Sequence, residues 1–96
     1  MRKHLVFSPA AISDLDRIWD YTVDRWGPDQ ADYYTDMIRD VCFALAESSK
    51  LGRIVDIHPG YMKYLSGSHV IYYKQEVSKV IVVRILHGRM DVEAHL

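Results

Sequence analysis

The spacing of apolar residues changes halfway along the chain, and this change restricts the possible folds more than any other feature of the sequence. Up to about Leu51-Gly52, apolar residues recur at three- and four-residue steps, which is the period of an amphipathic helix. Beyond Pro59-Gly60, short segments rich in Val, Ile and Tyr are typical of strands. We therefore expect an α+β fold in which helices precede a sheet.

One strand and two helices are predicted in the first half. The strand covers about Lys3 to Phe7 and ends at Ser8-Pro9, where Ser can cap a helix and Pro suits its first turn. The apolar face of the first helix comprises Ile12, Leu15, Ile18, Trp19, Thr22 and Trp26. Gly27-Pro28 ends this helix. A second apolar pattern starts at about Asp29, includes Ala31, Tyr34, Ile38, Val41 and Leu45, and runs to Ser48-Ser49. So short a link predicts an antiparallel helical hairpin.

Three strands are predicted in the second half: Tyr61 to Ser66, His69 to Gln75 and Lys79 to His87. Gly67-Ser68 between the first two is a two-residue hairpin turn, which fixes their register. On one face Ser66, Tyr64 and Met62 would lie opposite His69, Ile71 and Tyr73, and on the other Leu65, Lys63 and Tyr61 opposite Val70, Tyr72 and Lys74. In the last strand, strict alternation places Val80, Val82, Arg84 and Leu86 on one face and Ile81, Val83 and Ile85 on the other. We expect the apolar faces to pack on the helices.

Length and charge limit the classes of function. The chain has 96 residues, so we expect a single domain over 1–96. Its formal charge of -1 is split into -3 over residues 1–52 and +2 over 53–96, so the chain lacks the basic balance of a protein that grips nucleic acid directly. Cys42 is the sole cysteine, which predicts a reducing compartment, the cytoplasm, and no segment is long enough to span a membrane.

Two residue sets have the spacing of metal ligands, but each has a simpler interpretation. Asp16, Asp20 and Asp24 share a helix face and could chelate a hard cation, although a solvated acidic face explains them better. His87, Asp91 and His95 would align only on a short, fraying helix, which gives little preorganisation for zinc. We expect no metal and no cofactor.

An RNA-cleaving site is the main enzymatic alternative. His87 and His95 could act as acid and base, Arg84 or Arg89 could stabilise a phosphorane-like charge, and Lys63, Tyr72 and Lys74 share the predicted face of Arg84. Solvation of a half-exposed sheet accounts for the same side chains. Cys42 is expected to be a buried thiol, and Trp19 and Trp26 favour core packing. A Gly-rich phosphate loop, a CxxC pair and a nucleophile elbow are absent from the sequence.

Short motifs occur in a defined order along the whole chain. In the first half they are Leu5-Val6-Phe7-Ser8-Pro9-Ala10-Ala11, Asp14-Leu15, Ile18-Trp19-Asp20-Tyr21, Trp26-Gly27, Gln30-Ala31 and Gly52-Arg53. In the second half they are Gly67-Ser68-His69-Val70-Ile71-Tyr72-Tyr73, Val83-Arg84-Ile85-Leu86-His87-Gly88-Arg89-Met90-Asp91 and His95-Leu96. Their order and spacing resemble the ParE toxins, a branch of the RelE/ParE superfamily.

The resemblance implies a strand, an antiparallel helical hairpin and then a C-terminal antiparallel β-sheet. It implies a non-enzymatic toxin of a type II toxin–antitoxin system that binds DNA gyrase and blocks replication. A ParD-type antitoxin would neutralise it in a hetero-oligomer, laying a helix into an apolar groove and adding a strand at a free sheet edge.

Candidate residues follow from the same resemblance and from the large aromatic surfaces. The segment from Arg84 to Leu96 looks like the part that family members need for toxicity. The candidates for target binding and toxicity are Arg53, Lys63, Arg84, His87, Arg89, Met90 and Asp91. The candidates for antitoxin binding are Trp19, Trp26, Tyr34 and Tyr72.

Two departures bear on the function. Family members commonly carry a Pro shortly before the Gly-Arg pair, where this chain has Ser48-Ser49-Lys50-Leu51. RelE-type relatives cut messenger RNA on the ribosome with basic residues and a Tyr near the C-terminus, and this chain has no Tyr after Tyr73. A ribosome-dependent mRNA endonuclease and an inactive antitoxin-binding module stay as alternatives.

Overall fold

The computed structural model describes residues 3–56, 58–90 and 92–96, and in them a five-stranded sheet carries two long helices on one face. The elements in chain order are β1 (His4–Phe7), α1 (Pro9–Trp26), α2 (Pro28–Ala46), β2 (Arg53–Ile54), β3 (Met62–Ser66), β4 (His69–Gln75), β5 (Lys79–His87) and α3 (Val92–His95). The predicted α+β fold is confirmed.

Local sequence signals set the ends of the helical hairpin. The Ser8 hydroxyl oxygen accepts the Ala11 backbone N–H at 3.0 Å, and Pro9 occupies the first turn of α1. Gly27, with φ +88°, separates the two helices, a backbone conformation that favours glycine. Helix α2 ends at Ala46, slightly before the predicted Ser48-Ser49, and Ser48 follows it in the left-handed region with φ +64°.

The predicted register of the β3–β4 hairpin is confirmed over five residue pairs, from Ser66 opposite His69 to Met62 opposite Tyr73. Gly67 in the connecting turn has φ +59°, the positive value that a tight hairpin turn requires. Strands β4 and β5 are antiparallel, and so are β2 and β3. The second half of the chain therefore forms the antiparallel sheet expected from its pattern.

Strand β1 makes the sheet mixed. The strand order is β1-β5-β4-β3-β2, and β1 lies parallel to β5, with His4 opposite Lys79 and Phe7 opposite Val82. A parallel neighbour needs a long crossover, and the helical hairpin lies within the segment that connects β1 to β5. Strand β2 is a two-residue edge strand that the apolar pattern does not predict.

The predicted strict alternation in β5 is wrong, because a bulge interrupts it. Tyr72 lies opposite Arg84 whereas Tyr73 lies opposite Val82, which leaves Val83 as the extra residue. Val80 and Val82 therefore face the helices before the bulge, and Ile85 faces them after it. Leu86 instead packs with Tyr72 on the opposite face of the sheet.

Two apolar clusters lie on the two faces of the sheet. The larger one joins α1 and α2 to the sheet and includes Leu15, Ile38, Leu45, Ile71 and Tyr73. The smaller one, on the face away from the helices, consists of Val55, Tyr72 and Leu86, with Val92 and Leu96 of the C-terminal segment packed against it. We call this second face the far face, and residues 88–90 and 92–96 the tail. The tail therefore covers part of the far face.

Candidate functional site

A cleft opens where the hairpin end of α1 and α2 meets the ends of β4 and β5. It consists of two adjoining cavities of about 320 and 270 Å³, and both are lined by Tyr21, His69 and His87. Trp26 and Tyr34 line the second cavity. We call these five residues the cleft. These aromatic side chains lie among apolar and polar ones such as Ile18, Met90 and Gln30, a mixture that suits contact with a protein segment.

A hydrogen-bonded pair forms the floor of the cleft. The Tyr34 hydroxyl accepts the Ser68 backbone N–H at 3.0 Å and lies 2.7 Å from Nδ1 of His69. The pKa of His69 is lowered to about 4, mainly by burial and also by the neighbouring His87 imidazole, 5.4 Å away between ring centroids, against an opposing effect of Asp14. His69 is therefore neutral at pH 7, and the Tyr34 hydroxyl can donate its proton to Nδ1.

The edge of β5 beside the cleft is held by side chains of the first helix and its cap. Strand β1 pairs with β5 only as far as Val82. Beyond that point the Ser8 hydroxyl donates to the Val83 carbonyl at 2.6 Å, and the Ile85 N–H donates to the Asp14 carboxylate at 2.9 Å. Helix α1 thus covers the first part of this edge, and His87 at its end is exposed.

Asp14 also binds Arg84. The Nε and one terminal nitrogen of Arg84 each donate to the Asp14 carboxylate at 2.8 Å, and this hydrogen bonding raises the pKa of Arg84. The other terminal nitrogen donates to the His95 carbonyl in the tail at 3.0 Å. Arg84, predicted to contact the target, is therefore engaged within the molecule, where it links α1 to the tail.

A groove opens on the far face beside the tail. Its cavity is about 570 Å³, and its lining includes Arg53, Lys63, Leu65, Val70 and Tyr72. We call these five residues the sheet groove. Arg53 and Lys63, two predicted target-binding residues, lie directly opposite each other in the β2–β3 pair. The structure thus brings together two cations that are ten positions apart in sequence.

The other predicted target-binding residues belong to the tail or to the end of β5. His87 and Arg89 are exposed, Met90 is partly exposed and borders the cleft, and Asp91 lies outside the described residues. The Arg89 backbone N–H donates to Nδ1 of His87 at 3.2 Å, which orders the turn after β5. These residues are separate from the sheet groove, although Gly88 borders both regions.

The four antitoxin-binding candidates are not all on one surface. Trp26 and Tyr34 are in the cleft, whereas the Trp19 indole donates to Asp32 at 2.8 Å across the two helices. Tyr72 is only 8% exposed, on the far face. Trp26 is 65% exposed, so its expected core packing is wrong: the buried face of α1 ends at Thr22, and Trp26 lies a turn beyond it.

Several candidate chemistries gain no support from the described part of the chain. No group of three or more His, Cys, Asp or Glu within it could hold a metal ion. The predicted His87, Asp91 and His95 set includes a residue outside the described ranges. Cys42 is buried, and burial raises the pKa of its thiol to about 12, as expected of a structural thiol. Within the described residues, no helix is long and apolar enough to cross a membrane.

Asp14, His69 and Tyr21 were missing from the predicted site. Asp14 could have been found, because a carboxylate three residues after Ala11 and four before Ile18 lies on the buried face of α1 and needs a buried partner. His69 and Tyr21 carry no comparable signal. Only the packing of the hairpin against the ends of β4 and β5 brings them together.

Comparison with known proteins adds the family. The model of the family described as "ParE toxin of type II toxin-antitoxin system, parDE" matches residues 5–92. The chain is 43% identical over 98 residues to Toxin ParE1 of Mycobacterium tuberculosis, with both chains fully covered, in strains CDC 1551 / Oshkosh and H37Rv alike. It is 38% identical over 90 residues to Toxin ParE1 of Caulobacter vibrioides, which covers 93% of each chain.

A solved structure shares the fold. A chain of the chromosomal ParDE TA system from P. aeruginosa superposes with a TM-score of 0.79 at 21% identity, over 88% of this chain and 95% of that one. The order of strand, helical hairpin and sheet is thus a known architecture.

Proposed function

Because this chain belongs to the ParE toxin family of type II toxin–antitoxin systems, we propose that it is a toxin that blocks replication by binding DNA gyrase, without catalysing a reaction, until a ParD-type antitoxin neutralises it. The full-length similarity to Toxin ParE1 proteins is the observation that carries this proposal. We place the protein in the cytoplasm, where gyrase acts and where its single free thiol would stay reduced.

The cleft supports capture by an antitoxin segment. Trp26 and Tyr21 are exposed aromatic residues beside the end of β5, so one surface offers both an apolar contact and strand backbone. Two modes of peptide recognition are common: an amphipathic helix binds in an apolar groove, and an extended segment adds a strand at an exposed sheet edge. An antitoxin segment bound here would also lie beside Asp14. Asp14 binds Arg84, and Arg84 in turn binds the tail.

The far face supports contact with gyrase. The sheet groove is basic and apolar, and Arg89 adds an exposed cation after the end of β5, whereas His87 and Met90 line the cleft. Arg84 serves this surface as a support, because its guanidinium is held by Asp14 and by the tail. A guanidinium held in this way is unsuited to stabilising a reacting phosphate, which favours a binding role over RNA cleavage.

Expression of the chain without antitoxin tests the proposal. We expect incorporation of labelled thymidine to fall before that of labelled methionine, and the purified chain to inhibit DNA supercoiling by gyrase. Co-expression of the cognate antitoxin is the control and should restore both growth and DNA synthesis. An earlier fall in methionine incorporation would contradict gyrase as the target and favour the mRNA endonuclease.

A further inference from the structure

Two neighbouring cations in the sheet groove have no partner of opposite charge among the residues that the structure describes. Arg53 and Lys63 are exposed and directly opposite each other on adjacent strands, where like charges destabilise a sheet. Within the described part of the chain, neither forms an ion pair or a cation–π contact. The site therefore has an unfavourable pair of charges that an anionic group would relieve.

Other cations in the sheet or beside it are already engaged. The Lys74 ammonium lies 4.6 Å from the centre of the Tyr61 ring, and the Lys50 ammonium lies 5.6 Å from that of Tyr64. Arg84 binds Asp14, and Lys79 binds Glu76. Within the described ranges, the unpaired Arg53 and Lys63 thus differ from these other cations.

The surface beside this pair is apolar. Leu65 is 67% exposed, and Val70 next to it on β4 is half-buried. The tail packs its apolar residues against Leu86 and Tyr72, but Leu65 does not belong to that cluster. An apolar side chain of a partner could therefore pack on Leu65 and Val70 while a carboxylate reaches Arg53 and Lys63.

The helical layer and the sheet groove have opposite charges, so they favour different partners. Residues 9–46, the helical layer, contain eight aspartates and three arginines, so this layer has a net charge of -5 and repels acidic segments. The sheet groove has the opposite character. An acidic partner is therefore directed to the far face, and a basic partner to the helices.

We propose that the sheet groove binds an acidic and apolar segment of the toxin's target protein, with Arg53 and Lys63 pairing with its carboxylates and Leu65 packing against its apolar side chain. This inference rests on the proposed function, since it assigns to that target the chemistry of the segment that docks here. Leu65 is a contact residue that neither the sequence motifs nor the resemblance singled out.

Charge reversal in the groove tests this inference. The variants are Arg53→Glu with Lys63→Glu, and separately Leu65→Asp. All three positions are exposed, so we expect thermal unfolding and antitoxin binding like those of the wild type. Arg39→Glu is the matched control, because Arg39 is an exposed cation on the outer side of α2. The measurements are binding of purified DNA gyrase at low and high salt, and growth arrest in cells without antitoxin.

We expect the double reversal and Leu65→Asp each to weaken gyrase binding at least about tenfold and to relieve growth arrest, while Arg39→Glu changes neither. Wild-type binding should weaken at high salt, and the double variant should lose that salt dependence. If the wild type arrests growth but does not bind gyrase, gyrase is not the target. Growth arrest by the variants would in that case still test whether the target binds in the sheet groove.

Three outcomes would overturn the inference. The groove variants could bind gyrase and arrest growth as the Arg39→Glu control does. They could lose antitoxin binding and keep gyrase binding, which would assign the groove to the antitoxin. They could abolish self-association of the purified chain without changing gyrase binding, in which case the acidic helical layer of a second copy is the occupant.

Discussion

Asp14 has a structural role that the exposed aspartates of the same helix do not have. Asp16, Asp20 and Asp24 lie on the solvent side of α1, whereas Asp14 is 5% exposed. Its carboxylate accepts from Arg84 and from the Ile85 backbone N–H, and Arg84 extends the network to the His95 carbonyl. One buried carboxylate thus joins helix α1, the edge of β5 and the tail.

Replacing Asp14 should be strongly destabilising. Asp14→Ala leaves the Arg84 charge partly buried without its partner and leaves the Ile85 N–H without its acceptor, so we expect a loss of about 3–5 kcal/mol in the free energy of unfolding. Urea denaturation measures it. Asp36→Ala removes an exposed ion pair with Arg39 and should cost less than about 1 kcal/mol. Equal effects of the two substitutions would refute the buried network.

His69 should make stability depend on pH. Its pKa in the folded chain is about 4, against the ordinary value of 6.5. Between these values the unfolded chain binds a proton that the folded chain does not, so stability is fully present above pH 6.5 and declines as the pH falls towards 4. We expect the free energy of unfolding to fall by about 1–2 kcal/mol. This is less than the full difference in pKa implies, because His69 is partly exposed to solvent.

Urea denaturation at pH 7.5 and pH 4.5 measures this dependence in the wild type and in two variants. The His69→Gln variant should lose this pH dependence of stability. The His4→Gln variant should keep it, because His4 is exposed at the start of β1. An NMR titration of His69 with a pKa near 6.5 would contradict the buried, neutral imidazole.

The ends of β5 and β4 decide which elements meet at the cleft. The bulge at Val83 turns Ile85 towards the helices and leaves Leu86 on the far face, so the strand serves both faces of the sheet. The β3–β4 turn then places His69 beside Tyr34, whose hydroxyl accepts the Ser68 N–H. A short turn therefore positions one wall of the cleft.

That turn should not tolerate a side chain at Gly67. A Cβ there would approach the Tyr34 hydroxyl to 2.8 Å, and the backbone has φ +59°. Gly67→Ala should therefore reduce the free energy of unfolding by about 1–2 kcal/mol. Gly88→Ala is the control, since its Cβ would meet nothing closer than the Ser68 carbonyl at 3.6 Å. A Gly67→Ala variant as stable as Gly88→Ala would show that the turn relaxes without cost.

At the scale of the whole molecule, the sheet separates an acidic helical layer with an aromatic cleft from a far face with a basic groove. The tail lies on the far face, where Arg84 binds its His95 carbonyl. Arg84 also forms an ion pair with Asp14 of α1, and this pair connects the tail to the helical layer. We propose that this arrangement lets one chain present different surfaces to antitoxin and target.

Removing residues 92–96 should separate the two proposed activities. The deletion uncovers Tyr72 and Leu86 and takes away the carbonyl that Arg84 binds, but it leaves the cleft residues in place. We expect the shortened chain to bind antitoxin like the full chain while growth arrest is lost. Binding assays with purified antitoxin and growth curves measure the two effects. Loss of antitoxin binding with retained growth arrest would reverse the assignment of the two surfaces.

The sequence alone determined the two long helices, most of the strands and the pairing of β3 with β4, because these depend on local periodicity, caps and turns. Ser8-Pro9, Gly27 and Gly67 marked the boundaries, and the two-residue turn set the β3–β4 register. The order and spacing of short motifs also determined the family. In each case the information lies within a few neighbouring residues or in their linear order.

Only the tertiary structure decided which side chains share a site. The bulge at Val83 has no signal in a continuous apolar run, yet it sets the direction of every side chain after it. Trp26 fits the helical pattern but lies past the end of the buried face. The Asp14–Arg84 pair and the facing of Arg53 and Lys63 join residues 70 and ten positions apart. Such contacts depend on how the helices and the sheet pack together, which local periodicity does not specify.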